Sequence, residues 1–191
     1  MAPQISFKTL SPEEYKINYN KYNILYGFHD SPFGMCLIGI NEADNAVSHL
    51  SFVDGKKEDG LKALSTQWPN SNLTEDVTRL TADTVDKIFS RDKSYDISVL
   101  LKGTEFQIQV WKATTTIPEG ESFVYEEVAK MIQNPKAVRA VGSALSKNNV
   151  GYLIPCHRVR GKMGDKFTWG IERKHQMLKF ERSNGNLCDE E

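Results

Sequence analysis

The chain contains no apolar run approaching the roughly 20 residues that a helix needs to cross a bilayer, so no membrane span is expected. Its first residues, MAPQISFKTL, supply neither a basic leader nor an apolar stretch behind it, and a secretory signal is therefore not expected. Cysteine is scarce. Cys36, Cys156 and Cys188 are far apart and cannot all pair, which argues against a disulfide framework and for a reducing compartment, nucleus or cytoplasm. The chain also lacks the CxxC and HxxxH spacings that gather a zinc ion. Internal repeats and low-complexity tracts are missing as well.

What remains is an ordinary globular composition, 39% hydrophobic and 26% charged over 191 residues, enough for one or two domains. The net charge of −1 conceals an asymmetry. Residues 99–191 carry 14 Lys and Arg against 11 Asp and Glu, whereas residues 1–98 carry 10 against 14. Between Lys130 and Lys174 ten basic residues face only Asp165 and Glu172, a balance suited to a phosphate-binding surface or, more plainly, to a solvated basic face.

The first half reads as mixed α/β. Strand-like runs at 22–28, 33–40 and 46–53, separated by turn residues, suggest a small antiparallel sheet. Helical patterns follow at 58–68 and at 75–89, where Val77, Leu80, Thr84, Val85 and Ile88 keep near-helical spacing. The stretch 95–103 looks like an extended connector, and the domain boundary is placed there, giving domains 1–98 and 99–191.

The second half begins with helical signals. Thr104 and Gln107 form a capping-box pattern ahead of Phe106, Val110, Ala113 and Ile117. Ser122 is suited to cap a second helix with Val124, Val128 and Met131 inward and Tyr125 at its edge. Asn134 before Pro135 signals a third. Two helices so closely joined have the form of a helix-turn-helix. On the wheel of the third, Ala137, Val138, Val141, Ala144 and Leu145 lie inward. Lys136, Arg139, Ala140, Ser143, Ser146 and Lys147 lie outward, so Arg139 is one long side chain on a face of mostly short ones that could approach nucleic acid closely.

The segment GYLIPCHRVRGK, residues 151–162, delivers Cys156, His157 and Arg158 directly after a proline. Such a pair is usually a buried thiol beside a satisfied imidazole. A nucleophilic reading requires thiolate, and hence a base or a positive neighbourhood. Adjacent residues of an extended chain point to opposite faces, so His157 would act through a water, with Glu172 or Glu181 fixing its tautomer.

FQIQVWKA, IPEG, YEEVAK, NPKAVRAVGSAL, Asn148, LIPCHRV and IERKHQMLKFE, in this order, resemble the O6-alkylguanine-DNA alkyltransferases, over essentially all of 99–182 and more weakly over the first half. The resemblance implies a small ribonuclease-H-like α/β N-terminal domain and a mostly helical, winged helix-turn-helix-like alkyltransferase domain. It implies direct-reversal DNA repair: Cys156 takes the alkyl group irreversibly from O6 of a flipped guanine, with O4 of thymine left open. His157 acts through water, Glu181 orients it, and Tyr125 serves guanine N3. Arg139 fills the vacated stack, and Asn148 braces the turn. The Val159 backbone and Thr168 line the pocket, while Ala137, Ala140 and Gly142 allow a minor-groove approach by the recognition helix. The partner implied is duplex DNA carrying O6-alkylguanine, met by a monomer, with no cofactor.

Departures stand beside the likeness. Trp169 occupies a position where glycine is frequent, which would narrow the pocket, and Asn149 and Gly151 replace prolines. Cys36, His29 and His49 do not reproduce the zinc ligands of some members, so no metal is expected. The competing readings are a non-catalytic lesion-binding protein of the same fold and a Cys-His hydrolase, which would restore its thiol after each turnover.

Overall fold

A computed structural model of the protein describes residues 4–90, 96–162 and 164–185, which leaves Cys188 outside the described residues. Two compact units divide the chain at Thr104 and Glu105.

The first unit is built on a six-stranded mixed sheet. An antiparallel meander of β2 (Asn23–Ser31), β3 (Gly34–Asn41) and β4 (Ala46–Phe52) supplies its middle. Parallel neighbours extend it: β5 (Asn72–Glu75) beside β2, then β6 (Asp96–Lys102) beside β4 and β1 (Gln4–Leu10) beside β6. The stretch expected as a connector is therefore an interior strand. Ile97, Val99, Leu100 and Leu101 of β6 are buried, and this moves the division from 98/99 to 104/105. The expected three strands are present, but β1 and β5 join them.

Helices α1 (Pro12–Asn18), α2 (Lys57–Gln67) and α3 (Leu80–Phe89) accompany the sheet. Gly60 lets α2 come close, since a Cβ there would stand 3.0 Å from Val53 Cγ2 and 3.3 Å from Phe28 Cε1. Helix α3 starts five residues later than the 75–89 pattern suggests. Asp76 accepts the Thr78 and Thr81 amides (2.8 and 2.7 Å), and Arg79 is left-handed at φ 71°, so a turn replaces the first helical turn. Val77, counted in the helical spacing, lies in that turn and is 92% exposed.

In the second unit, α4 (Glu105–Thr114), α5 (Tyr125–Met131) and α6 (Val138–Ser146) are followed by α7 (Ile171–Gly185). A short parallel pair joins β7 (Phe123–Val124) to β8 (Val159–Arg160). The Trp111 indole N–H donates to the Ala144 carbonyl at 2.9 Å, tying α4 to α6. Helix α5 starts after Val124, whose amide is held by the Glu127 carboxylate at 2.7 Å, so Ser122 is not its cap. Val128, Ala129 and Ile132 point inward, while Met131, expected with them, is 37% exposed.

The turn that follows closes with two bonds. Gln133 N–H donates to Lys130 O and Asn134 N–H to Ala129 O, both at 2.9 Å, with Gln133 left-handed at φ 57°. Asn134 then opens another turn, its carbonyl accepting from Ala137 N–H at 3.0 Å, so α6 begins at Val138 and not at Pro135. Its Val141, Ala144 and Leu145 are buried; Arg139, Ala140, Ser143, Ser146 and Lys147 are exposed. Ala137 and Val138, expected inward, are half-buried, and Lys136 is exposed in the turn.

Candidate active site

The loop leaving α6 folds around Asn148. Its amide nitrogen donates to the Ile154 carbonyl (3.0 Å) and the Cys156 sulfur (3.3 Å), and its oxygen accepts from Val150 N–H (2.9 Å). Pro155, at φ −81° and ψ 62°, centres a three-residue turn closed by Cys156 N–H on Ile154 O at 2.8 Å. Cys156–Arg158 is thus a single 3-10 turn, where the sequence suggested an extended chain.

Cys156 is 8% exposed. Burial pushes its thiol up to about 11, opposed by the Asn148 donor, by the amides of Cys156 and His157, and by the charge of Lys174. Lys174 is itself 1% exposed and donates to Val159 O (2.8 Å) and Asp165 (2.9 Å).

His157 is wholly buried, stacked on Tyr152 at 5.7 Å and 5° and meeting the edge of Phe167 at 6.5 Å. Its Nε2 lies 2.7 Å from Glu181 Oε1. Glu181 also accepts from Arg158 Nη2 (2.8 Å) and from the Gly120 amide (2.8 Å), and Arg158 Nη1 donates to the Ile117 carbonyl. Burial alone would raise the Glu181 carboxyl, but the donors on His157 and Arg158 hold it at about 2. An ionised carboxylate only accepts, so Nε2 carries the hydrogen and Nδ1 is the basic nitrogen. Among the described residues that Nδ1 is buried without a protein partner, and burial holds the imidazole below its usual range, hence neutral. Of the two candidate carboxylates, Glu181 meets the histidine and Glu172 is exposed.

A cavity of about 540 Å³ opens over the sulfur. Cys156, Tyr125, Val138, Arg139, Gly142, Leu145, Ser146, Lys166, Phe167 and Thr168 line it. Burial raises the Tyr125 phenol, helped by the charges of Asp165 and Cys156. A Cβ at Gly142 would stand 3.9 Å from the Tyr125 ring. Two expected wall residues are placed elsewhere. Val159 is buried in β8 with its carbonyl taken by Lys174, and Trp169 packs edge-on against Phe167 at 5.4 Å. Ala137, Ala140, Ser143 and Lys136 are not part of the wall.

Sequence reasoning named Arg158 without a role and missed Lys174, Tyr152 and Lys166. Lys174 was findable: with Met177, Leu178 and Glu181 it makes an i, i+3, i+4, i+7 stripe along α7. Among the described residues, no three His, Cys, Asp or Glu side chains gather as a metal site, and no helix is long and apolar enough to cross a membrane.

Residues 105–183 match the family model described as 6-O-methylguanine DNA methyltransferase, DNA binding domain. A methylated-DNA–protein-cysteine methyltransferase of Methanosarcina barkeri is 36% identical over 83% of this chain and 98% of its own length. The chain belongs to the methylated-DNA–protein-cysteine methyltransferase family. The namesake protein of Kluyveromyces lactis is 51% identical over 44% of this chain and 45% of its own length. Among solved structures, Mycobacterium tuberculosis OGT in complex with DNA shares 30% identity and a TM-score of 0.65, covering 83% of this chain and 93% of that one. In this methyltransferase the family match begins at the first residue of the second unit and contains Cys156, His157 and Glu181.

Proposed function

We propose that this methyltransferase repairs DNA by direct reversal, moving a methyl or larger alkyl group from O6 of guanine irreversibly onto its own Cys156, once per molecule. The observation that carries the reading is the sulfur at the base of an open cavity with a buried, neutral, carboxylate-held imidazole next to it in sequence. The thiol stays protonated until the lesion arrives, since it is held at about 11. His157 Nδ1 then receives its proton through a water, and Glu181 stabilises the imidazolium. The sulfur forms a bond to the alkyl carbon as the carbon–O6 bond breaks. Tyr125 gives a proton or hydrogen bond to guanine N3, and the thiol proton ends on the departing base.

The exposed face of α6 enters the minor groove in this reading, with Ala137, Ala140, Gly142 and Ser143 permitting close approach and Lys136 contacting phosphate. Arg139, exposed on that face and at the cavity wall, fills the stack that the flipped base leaves. Asn148 braces the loop, and Thr168 contributes to the pocket. The close pairing of α5 and α6 beside the β7/β8 ladder supports a winged helix-turn-helix. The antiparallel meander with parallel flanks supports a ribonuclease-H-like first unit. The protein acts as a monomer in a reducing compartment, nucleus or cytoplasm, where its acceptor stays a thiol.

The test is peptide mass spectrometry after incubation with a duplex carrying one O6-methylguanine. The peptide containing Cys156 gains one methyl group, saturating at one per molecule, and Cys156→Ser gains none while still binding DNA. Lesion binding without mass gain would overturn the acceptor assignment.

A further inference from the structure

Lys166 stands on the cavity wall beside Phe167 and Thr168, exposed, and among the described residues it has no ion-pair partner. Three other cations of this half of the chain are each held by a carboxylate: Lys174 by Asp165 at 2.9 Å, Lys162 by Glu126 at 3.1 Å, and Arg158 by Glu181 at 2.8 Å. No carboxylate is among the residues lining the cavity, and Val138, Leu145 and Phe167 make much of the rest apolar. Arg139 is the other cation of the wall, but it leaves for the base stack in the reading above. Lys166 therefore remains, among the described residues, as the wall cation without an ion-pair partner on the cavity that Cys156 also lines.

We propose that Lys166 favours O6-alkyl adducts whose chain ends in an anion, such as a carboxymethyl group, over neutral adducts of the same size. The proposal rests on the acceptor reading of Cys156. Attack on such an adduct brings a developing thiolate toward a carboxylate two bonds from the sulfur, and like charges at that range repel. A cation that surrenders no existing partner lowers this repulsion. The bookkeeping is that of any transfer at this site. The sulfur–CH2 bond forms, the CH2–O6 bond breaks, the thiol proton ends on guanine, and the carboxylate stays on Cys156 as S-carboxymethylcysteine.

Two duplexes of one sequence test this, carrying O6-carboxymethylguanine or its neutral isostere O6-carbamoylmethylguanine, with single-turnover rates read from the mass of the Cys156 peptide. Lys166→Gln lowers the carboxymethyl-to-carbamoylmethyl rate ratio about fivefold at low salt, and Lys166→Arg keeps it. Added salt lowers the ratio of the unmodified protein toward that of Lys166→Gln. A ratio unchanged in Lys166→Gln, including equal slowing of both lesions as a phosphate contact would give, overturns the proposal. O6-methylguanine is run alongside with the unmodified protein. Failure of methyl transfer there overturns the acceptor reading and this proposal together, whereas successful transfer with an unchanged ratio overturns the proposal alone.

Discussion

Glu181 is the residue on which the site's electrostatics converge, because one buried carboxylate answers a histidine, an arginine and a backbone amide. Removing its charge leaves Arg158, 9% exposed, without that carboxylate. Glu181→Gln should therefore destabilise the protein by about 3–5 kcal/mol at pH 7, the usual loss when one partner of a buried pair is deleted. The pH dependence has a definite sign. The folded-state pKa is depressed, from 4.5 to about 2, so the carboxylate's contribution is fully present above pH 4.5 and is lost as pH falls through 2. The shift corresponds to about 3 kcal/mol. Urea unfolding at pH 7 and pH 3 should show the gap between the unmodified protein and Glu181→Gln narrowing at the lower pH. A constant gap would mean that the carboxylate's charge is not what the histidine and arginine hold.

At the level of elements, the turn between α5 and α6 sets where the exposed face of α6 begins, and it is made by a glutamine in a conformation that favours glycine. Gln133→Gly should stabilise the protein by about 0.5–1 kcal/mol, seen as a raised urea midpoint at unchanged slope. A lowered midpoint would show that the Gln133 side chain contributes more than its backbone strain costs. This turn also illustrates what a sequence hides. Pro135 and Asn134 correctly announce a break between helices, but the Asn134 carbonyl is taken by a turn, and α6 starts at Val138. The same happened at Asp76, whose carboxylate gathers amides and postpones α3 to Leu80, leaving Val77 outside. Periodicity reports which residues suit a helix, whereas the turns that take up backbone amides, closed by a backbone carbonyl at Asn134 and by a carboxylate at Asp76, decide where one starts. Strand β6 was read as a connector for a different reason: a buried interior strand carries a near-continuous apolar run, and such a run is not told apart from an extended connector until its partners β1 and β4 are known.

Over the whole molecule, the cysteine-histidine segment stood out in the sequence and the groups packed around it did not. Cys156 and His157 stood out because they are adjacent in the chain, whereas the roles of Tyr125, Arg139 and Glu181 came from the family resemblance, the residues alone leaving Glu172 and Glu181 open. The roles of Arg158 and Lys174 escaped because burial of an ion pair is a property of the fold. The charge asymmetry was legible as well, and it bears on DNA. The unit that contains Cys156 holds the excess of basic residues, and on α6 and its flanking turns Lys136, Arg139 and Lys147 are exposed. Each phosphate neutralised releases condensed counterions, so the logarithm of the affinity for undamaged duplex should fall linearly with the logarithm of salt, with a slope of about 0.9 per contact. Lys136→Gln should weaken binding similarly on all sequences and reduce that slope by about 1, as a phosphate contact does. Arg139→Ala should behave differently, slowing transfer from duplex far more than from the free alkylated base, since only the duplex has a stack to fill. Titrations of a labelled duplex across several salt concentrations, paired with transfer rates on both substrates, separate the two roles. Equal losses on duplex and free base for Arg139→Ala would remove it from the stack and return it to the solvated face.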